Sequence, residues 1–168
     1  MTKDWVGNYN SVYKTLGASS HSKEEREKDD YYATDPIAID KLLQVIELPN
    51  YVWEPACGEG HLSERLIEHG KVVYSSDIRN RGYDRQAEEC DFFSKDIPPF
   101  VEPFAIVTNP PYKCAQEFVE KAMEFLYDGE CCCMLLKLTF FEGMRRKELF
   151  EKYPPPFGLC VRKTSYVC

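Results

Sequence analysis

The sequence of 168 residues contains no hydrophobic run long enough to cross a membrane. Its longest strongly apolar run, Cys131 to Leu136, is far shorter than the roughly 20 residues that a membrane-spanning helix needs. The N-terminal residues also lack the basic and then apolar pattern of a secretory signal. We therefore expect a cytoplasmic protein without a membrane-spanning segment.

The sequence also lacks the spacings of metal sites and of disulfide frameworks. Its three histidines show no metal-ligand spacing, and none of its eight cysteines stands at the C-x-x-C spacing of zinc and redox motifs. Cys131, Cys132 and Cys133 lie together in the apolar run. Since no secretory signal is evident, we expect reduced thiols that behave as small hydrophobic residues, and no metal site.

The sequence also has no excess of positively charged residues. The chain has 21 Lys and Arg residues against 28 Asp and Glu residues, so its net charge is −7. Such a chain has no overall attraction to nucleic-acid phosphates, which disfavours a tight, nonspecific DNA-binding protein. A local patch stays possible, and Arg79, Arg81, Arg85 and the run 145–147 are candidates for contacts with a nucleic-acid backbone.

Strand and helix patterns alternate along most of the chain. Residues 1–30 are polar, with a mixed-charge run at 22–30, and are predicted to form an arm; residues 31–168 are predicted to form one domain. Helices are expected after Pro36 and Gly60 and over 115–126 and 143–152. Strands are expected near 51–53, 71–76, 104–107, 131–138 and 159–161. This alternation predicts a three-layer α/β fold with a mostly parallel sheet.

A glycine-rich segment, residues 54–60, follows the first predicted strand, and Asp77 ends the second. The glycines fit a tight strand-to-helix turn or a ligand site, because open α/β sheets bind ligands at the carboxyl ends of their strands. A dinucleotide site would have a third glycine where Ser63 stands, and Glu54 and Glu59 would repel a pyrophosphate. A cationic nucleoside such as S-adenosylmethionine fits better, with Asp77 on the ribose diol. A nicotinamide-dependent oxidoreductase is the weaker alternative.

The segment Asn109-Pro110-Pro111-Tyr112 follows the predicted strand at 104–107. It fits either a stiff turn or a site for an exocyclic amine, whose lone pair is delocalised into its ring. The Asn109 side-chain carbonyl and the Pro110 backbone carbonyl would accept the two amine hydrogens. The prolines would hold these carbonyls rigidly, and Tyr112 offers a ring on which a flipped base can stack.

These motifs together resemble those of the class I S-adenosylmethionine-dependent amino-methyltransferases, and most of all the DNA adenine-N6 methyltransferases of phages and prophages. The resemblance covers most of the chain from about residue 8, including residues 31–36, 138–143 and 149–155. Because the tetrapeptide 109–112 is shared with enzymes that methylate RNA bases or protein glutamine, these substrates stay open. The absence of a Pro-Cys dipeptide argues against cytosine-C5 methylation, which needs a cysteine nucleophile.

The resemblance implies two adjoining sites. The target amine would be held by Asn109, Pro110, Pro111 and Tyr112. In the cofactor site, Asp91 and Phe92 would contact the adenine. Thr34 would close this site, although Asp35 stands where the family has an uncharged residue. The implied cofactor-binding residues are Thr34, Glu54, Pro55, Cys57, Gly58, Gly60, Asp77, Asp91 and Phe92.

The resemblance also implies a Rossmann-like sheet of seven strands, with the last strand antiparallel between two others. No such strand is evident after the one near 159–161, so we expect it to be lacking and the domain to be truncated at its C-terminus. An uncovered sheet edge would favour a homodimer. The missing strand also leaves open a catalytically inactive remnant that binds the cofactor. DNA is the expected partner, with RNA or protein as alternatives.

Overall fold

The computed structural model describes residues 33–142, 146–155, 158–161 and 164–167. The predicted arm at 1–30 lies outside these residues. The helices are α1 (Ile37–Leu42), α2 (His61–Glu68), α3 (Ala115–Phe125) and α4 (Lys147–Lys152). The strands are β1 (Tyr51–Glu54), β2 (Val72–Asp77), β3 (Glu88–Glu89), β4 (Phe104–Thr108), β5 (Cys131–Lys137), β6 (Gly158–Val161) and β7 (Thr164–Val167). Short 3₁₀ segments cover Phe92–Ser94, Tyr112–Cys114 and Leu138–Phe140.

The strands form one sheet in the order β3-β2-β1-β4-β5-β7-β6. The first five strands of this order are parallel, and Trp53 of β1 stands opposite Tyr74 of β2 and Ile106 of β4. Helix α2 connects β1 to β2 and α3 connects β4 to β5, as expected for crossover connections in a parallel sheet. The predicted α/β fold with a Rossmann-like sheet is therefore confirmed.

The expectation that the sheet lacks its last antiparallel strand is wrong. Strand β7 lies antiparallel between β5 and β6, with Ser165 opposite both Leu136 and Cys160. The four residues of β7 show no clear alternation of apolar and polar side chains, so no local sequence pattern predicts this strand. Its position is set instead by backbone pairing with the two neighbouring strands. Since β7 pairs with β5, the edge of β5 on which the homodimer and inactive-remnant expectations depended is covered. A homodimer and a C-terminal truncation stay predictions.

Two hydrophobic clusters cover the two faces of the sheet. Val52 and Ala105 point to the face covered by α1 and α2, where they pack with Leu62 and Leu66. The alternate residues Trp53 and Ile106 point to the face covered by α3. Because β1, β4 and β5 are buried on both faces, their sequences are nearly continuous apolar runs rather than alternating ones.

The helix boundaries follow from local chemistry. The Asp35 carboxylate accepts a hydrogen bond of 3.0 Å from the backbone nitrogen of Ile37. This bond satisfies the first backbone donor of α1, which begins at Ile37 immediately after Pro36. Helix α4 begins at Lys147, later than the predicted residue 143. Among the described residues, no helix is long and apolar enough to span a bilayer.

Candidate active site

A cavity of about 300 Å³ opens at the carboxyl edge of the parallel strands. Parallel strands bring their carboxyl ends to one edge, so segments distant in sequence meet there. Most of the predicted site residues line this single cavity: Thr34, Glu54, Pro55, Cys57, Asp77, Asp91, Phe92, Asn109, Pro110 and Pro111. Gly58, Gly60 and Tyr112 are not among its lining residues.

Asp77 at the end of β2 holds the glycine-rich turn in place. One carboxylate oxygen accepts a hydrogen bond of 2.9 Å from the backbone nitrogen of Gly58, and the other accepts one of 3.1 Å from the backbone nitrogen of Arg79. A carboxylate has about four lone-pair positions, so both oxygens keep acceptor capacity. Asp77 is therefore a structural anchor of the turn as well as a candidate ligand-binding group.

Gly60 is required at its position for two reasons. Its φ is +80°, in the left-handed region that favours glycine, and it directly precedes α2. A Cβ atom at this position would overlap the ring of Tyr83. Tyr83 is buried and donates a hydrogen bond of 2.8 Å to Glu64, and burial and this carboxylate raise its pKa to about 12. Sequence patterns gave no sign of Tyr83, because its contact depends on the fold of the 78–87 loop.

Glu54 is a buried carboxyl group at the floor of the cavity. Only 2% of its surface is exposed, and it accepts a hydrogen bond from the Ser63 hydroxyl, which lies 2.6 Å from the Ser75 hydroxyl. Burial raises the pKa of Glu54 to about 8, and the nearby Asp77 adds to this effect. Ser63 is thus a buried polar partner of Glu54 at the position where a dinucleotide-binding turn has its third glycine.

Cys57 lines the same cavity, but it is not suited to act as a nucleophile. Burial, Glu54 and Asp77 all raise the pKa of its thiol above the usual range, so the reactive thiolate is disfavoured. Cys57 forms no disulfide bond. Among the described residues, no cluster of three or more His, Cys, Asp or Glu side chains could hold a metal ion.

The segment Asp91-Phe92-Phe93 brings two aromatic rings to the cavity, the buried Phe92 and the more exposed Phe93. Phe92 is 2% exposed and stacks on Phe118 with ring centroids 4.8 Å apart, so it is chiefly a core residue. Phe93 is 40% exposed, lines the cavity and meets Phe118 edge to face. The Asp91 carboxylate accepts a hydrogen bond of 3.0 Å from the backbone nitrogen of Phe93, which fixes this turn.

Asn109, Pro110 and Pro111 lie directly after β4 and face the same cavity as Glu54 and Asp77. The Asn109 amide nitrogen donates a hydrogen bond of 2.8 Å to the Thr34 hydroxyl. The side-chain carbonyl of Asn109 is then the group that can accept from a ligand. The sequence placed Thr34 beside the cofactor and gave no sign of its contact with Asn109.

Tyr112 stands beside the cavity rather than in its wall. The Lys137 ammonium group lies 4.4 Å from the centre of the Tyr112 ring, over one of its faces. Lys137 ends β5, so this contact joins the end of β5 to the segment that follows the adjacent strand β4. The predicted stacking of a base on Tyr112 would use the other face of the ring.

The predicted basic patches are largely engaged within the chain. Arg146 donates hydrogen bonds to the carbonyls of Thr139 and Phe140 and covers the Phe140 ring. Arg85 pairs with Glu64 at 3.3 Å, whereas Arg81 lines the cavity. Lys147 pairs with Glu151 at 3.6 Å, and Arg145 lies outside the described residues. A nucleic-acid contact by these side chains stays a prediction.

The sequence matches no family model and no curated protein, whereas the fold is similar to that of solved methyltransferases. Ribosomal protein L11 methylase from Lactobacillus delbrueckii subsp. bulgaricus has a TM-score of 0.61 at 11% identity over 78% of this chain and 74% of that chain. The 23S rRNA methyltransferase ErmE gives 0.52 at 25% identity, over 74% of this chain and 53% of that one.

A third solved structure is a Listeria monocytogenes protein assigned to the class I S-adenosylmethionine-dependent methyltransferases. It gives a TM-score of 0.54 at 12% identity, over 94% of this chain and 64% of that one. This chain spans about half the length of ErmE and about two thirds of the Listeria protein. These similarities establish the fold of class I methyltransferases.

Proposed function

We propose that this protein transfers a methyl group from S-adenosylmethionine to an exocyclic amine, most specifically the N6 of adenine in DNA. The observation that carries the proposal is the shared cavity of two chemically different halves. Carboxyl groups at the ends of β1 and β2 line one half, and Asn109, Pro110 and Pro111 after β4 line the other. A site that joins a cationic donor to an amine acceptor needs both halves side by side.

The residues of the first half fit S-adenosylmethionine. Glu54, Asp77 and Asp91 bring carboxyl groups to the cavity, which suits the ammonium and sulfonium charges and would repel a pyrophosphate. Asp77 keeps acceptor capacity for the ribose hydroxyls, and Phe93 presents an exposed ring for the adenine face. A volume of about 300 Å³ is at the lower end of small-molecule sites.

The residues of the second half suit a weakly nucleophilic amine. The Asn109 carbonyl and the Pro110 backbone carbonyl would accept the two amine hydrogens, pull the nitrogen toward tetrahedral geometry and so withdraw its lone pair from delocalisation into the ring. When bound, S-adenosylmethionine supplies an electrophilic methyl group and leaves as a neutral thioether. The nitrogen is positively charged after the transfer and releases its proton to solvent, so a strong base is not required.

An RNA substrate is the second candidate. Its support is the similarity to ErmE, which is a 23S rRNA methyltransferase and the most identical of the three proteins compared. DNA is preferred on the resemblance of residues 31–36, 138–143 and 149–155 to the adenine-N6 enzymes of phages and prophages.

Calorimetry and label transfer test the proposal together. We expect micromolar binding of S-adenosylmethionine and no binding of NAD, because the carboxyl groups repel a pyrophosphate. Labelled methyl groups should then pass to DNA and be recovered as N6-methyladenine by mass spectrometry of nucleosides. Label found only in RNA or protein would replace DNA by that substrate, and a folded protein that does not bind S-adenosylmethionine would contradict the proposal.

Phe92 and Phe93 make a matched pair for testing the adenine site. Phe93→Ala should weaken S-adenosylmethionine binding on the order of 10-fold with little change in stability, because this ring is half exposed in the cavity. Phe92→Ala should instead destabilise the fold by about 3–5 kcal/mol, as expected for a buried aromatic ring. Titration calorimetry and urea denaturation separate the two effects. Equal affinities of wild type and Phe93→Ala for S-adenosylmethionine would show that Phe93 does not contact the adenine.

A further inference from the structure

The hydrogen bond between Asn109 and Thr34 joins two segments that are 75 positions apart in sequence. Thr34 lies just before α1, and Asn109 lies just after β4. Both side chains line the cavity, and the donor and acceptor atoms are 2.8 Å apart. This contact is therefore a direct link between the N-terminal segment of the described chain and the proposed amine site.

The orientation of the Asn109 amide decides what this residue can do. Its oxygen and nitrogen are nearly equal in size, so rotation by half a turn exchanges an acceptor for a donor. An amine with two hydrogens needs the oxygen. With the oxygen toward the amine, the amide hydrogens need an acceptor on the other side, and the Thr34 hydroxyl is such an acceptor.

We infer that Thr34 is a positioning residue, whose hydroxyl accepts from the Asn109 amide and holds the Asn109 carbonyl toward the target amine. This inference rests on the proposed function and adds to it. It gives Thr34 a role that acts through Asn109, whereas the sequence predicted a role in closing the cofactor site. The two roles differ in which kinetic quantity Thr34 controls.

Thr34→Val and Thr34→Ser are the variants that separate these roles. Valine keeps the shape of threonine and removes the hydroxyl acceptor, so the amide hydrogens lose this partner. We expect Thr34→Val to lower kcat by about 10- to 100-fold, with the dissociation constant for S-adenosylmethionine changed less than about twofold. Thr34→Ser keeps the hydroxyl and should stay within about threefold of wild-type kcat.

Two kinetic outcomes would overturn the inference. If Thr34→Val binds S-adenosylmethionine more weakly at an unchanged kcat, Thr34 acts in cofactor binding and does not position Asn109. Wild-type values for both quantities would show that the hydrogen bond has no role in the reaction. Equal thermal midpoints for the three proteins would show that a fall in kcat does not come from unfolding.

A second measurement does not depend on activity. Hydrogen exchange of the Asn109 side-chain amide, followed by NMR and assigned by its loss in Asn109→Asp, reports the contact directly. We expect slow exchange in wild type and Thr34→Ser, and exchange at least several-fold faster in Thr34→Val. Equal exchange in all three would overturn the inference. A protein that shows the expected exchange but transfers no methyl group would contradict the proposed function and leave the contact established.

The Asn109→Asp variant provides a further check on the mechanism. A carboxylate has two equivalent oxygens, so it has no wrong orientation for Thr34 to prevent. Thr34→Val should therefore cost less than about threefold in kcat when it is combined with Asn109→Asp. A full 10- to 100-fold loss in that background would show that Thr34 acts on something other than the amide orientation, and would overturn the inference.

Discussion

Asn109→Ala should lower the rate of methyl transfer by about 100-fold or more while the affinity for S-adenosylmethionine stays within about twofold of wild type. Alanine removes one of the two carbonyl acceptors proposed for the amine and also the amide that bonds to Thr34. The carboxyl groups proposed for the cofactor are on other strands, at the ends of β1 and β2. Single-turnover kinetics and titration calorimetry measure the two quantities separately.

Asn50→Ala is a suitable control for this experiment. Asn50 is exposed, precedes β1 and does not line the cavity, so its replacement should leave the rate within about twofold of wild type. An Asn109→Ala protein that methylates at the wild-type rate would contradict the acceptor role of Asn109. An equal loss of rate and of affinity for S-adenosylmethionine would instead show that Asn109 contacts the cofactor.

Much of the sheet was predictable because its inner strands are buried on both faces. The apolar runs at 51–53, 104–107 and 131–138 correspond to β1, β4 and β5, and the helices between them carry apolar stripes. Strand β7 was not predictable in this way. It has only four residues, and its position between β5 and β6 is set by pairing with strands distant along the chain.

The composition of the cavity was largely predictable from the topology. Once the strands are taken as parallel, the carboxyl ends of β1, β2 and β4 must meet at one edge, which brings Glu54, Asp77 and Asn109 together. Side-chain contacts were not predictable, because they depend on packing at the scale of single atoms. Phe93 rather than Phe92 presents its exposed ring to the cavity, and Tyr112 packs against Lys137 beside it.

The buried carboxyl group of Glu54 should make the stability of the protein depend on pH. Its pKa is raised from 4.5 in the unfolded chain to about 8 in the folded protein, because burial disfavours the charged form. The folded protein therefore binds the Glu54 proton more tightly than the unfolded chain does. The contribution of this proton to the free energy of unfolding is fully present below pH 4.5. It is lost as pH rises toward 8, by up to about 5 kcal/mol at 1.36 kcal/mol per pKa unit.

Glu54→Gln should remove this loss. Glutamine has the same shape, keeps an oxygen that can accept from Ser63 and has no charge to bury. Urea denaturation at about pH 5 and about pH 9 should show wild type losing several kcal/mol relative to Glu54→Gln across this window. Glu59→Gln is the matched control, because Glu59 is an exposed carboxylate in the same turn. Identical pH dependence of wild type and Glu54→Gln would show that Glu54 is ionised in the folded protein.

The same substitution should weaken the binding of S-adenosylmethionine by about 10-fold or more. A cationic ligand favours the ionised form of Glu54, so its binding at about pH 7 should release up to about one proton from wild type and none from this position in Glu54→Gln. Calorimetry in two buffers of different ionisation enthalpy measures that release. If Glu54→Gln is more stable than wild type at high pH and also binds S-adenosylmethionine more weakly, the charge of Glu54 serves cofactor binding. The burial of this carboxyl group then costs stability for the sake of that binding. Stability gained without loss of affinity would exclude Glu54 from the cofactor site.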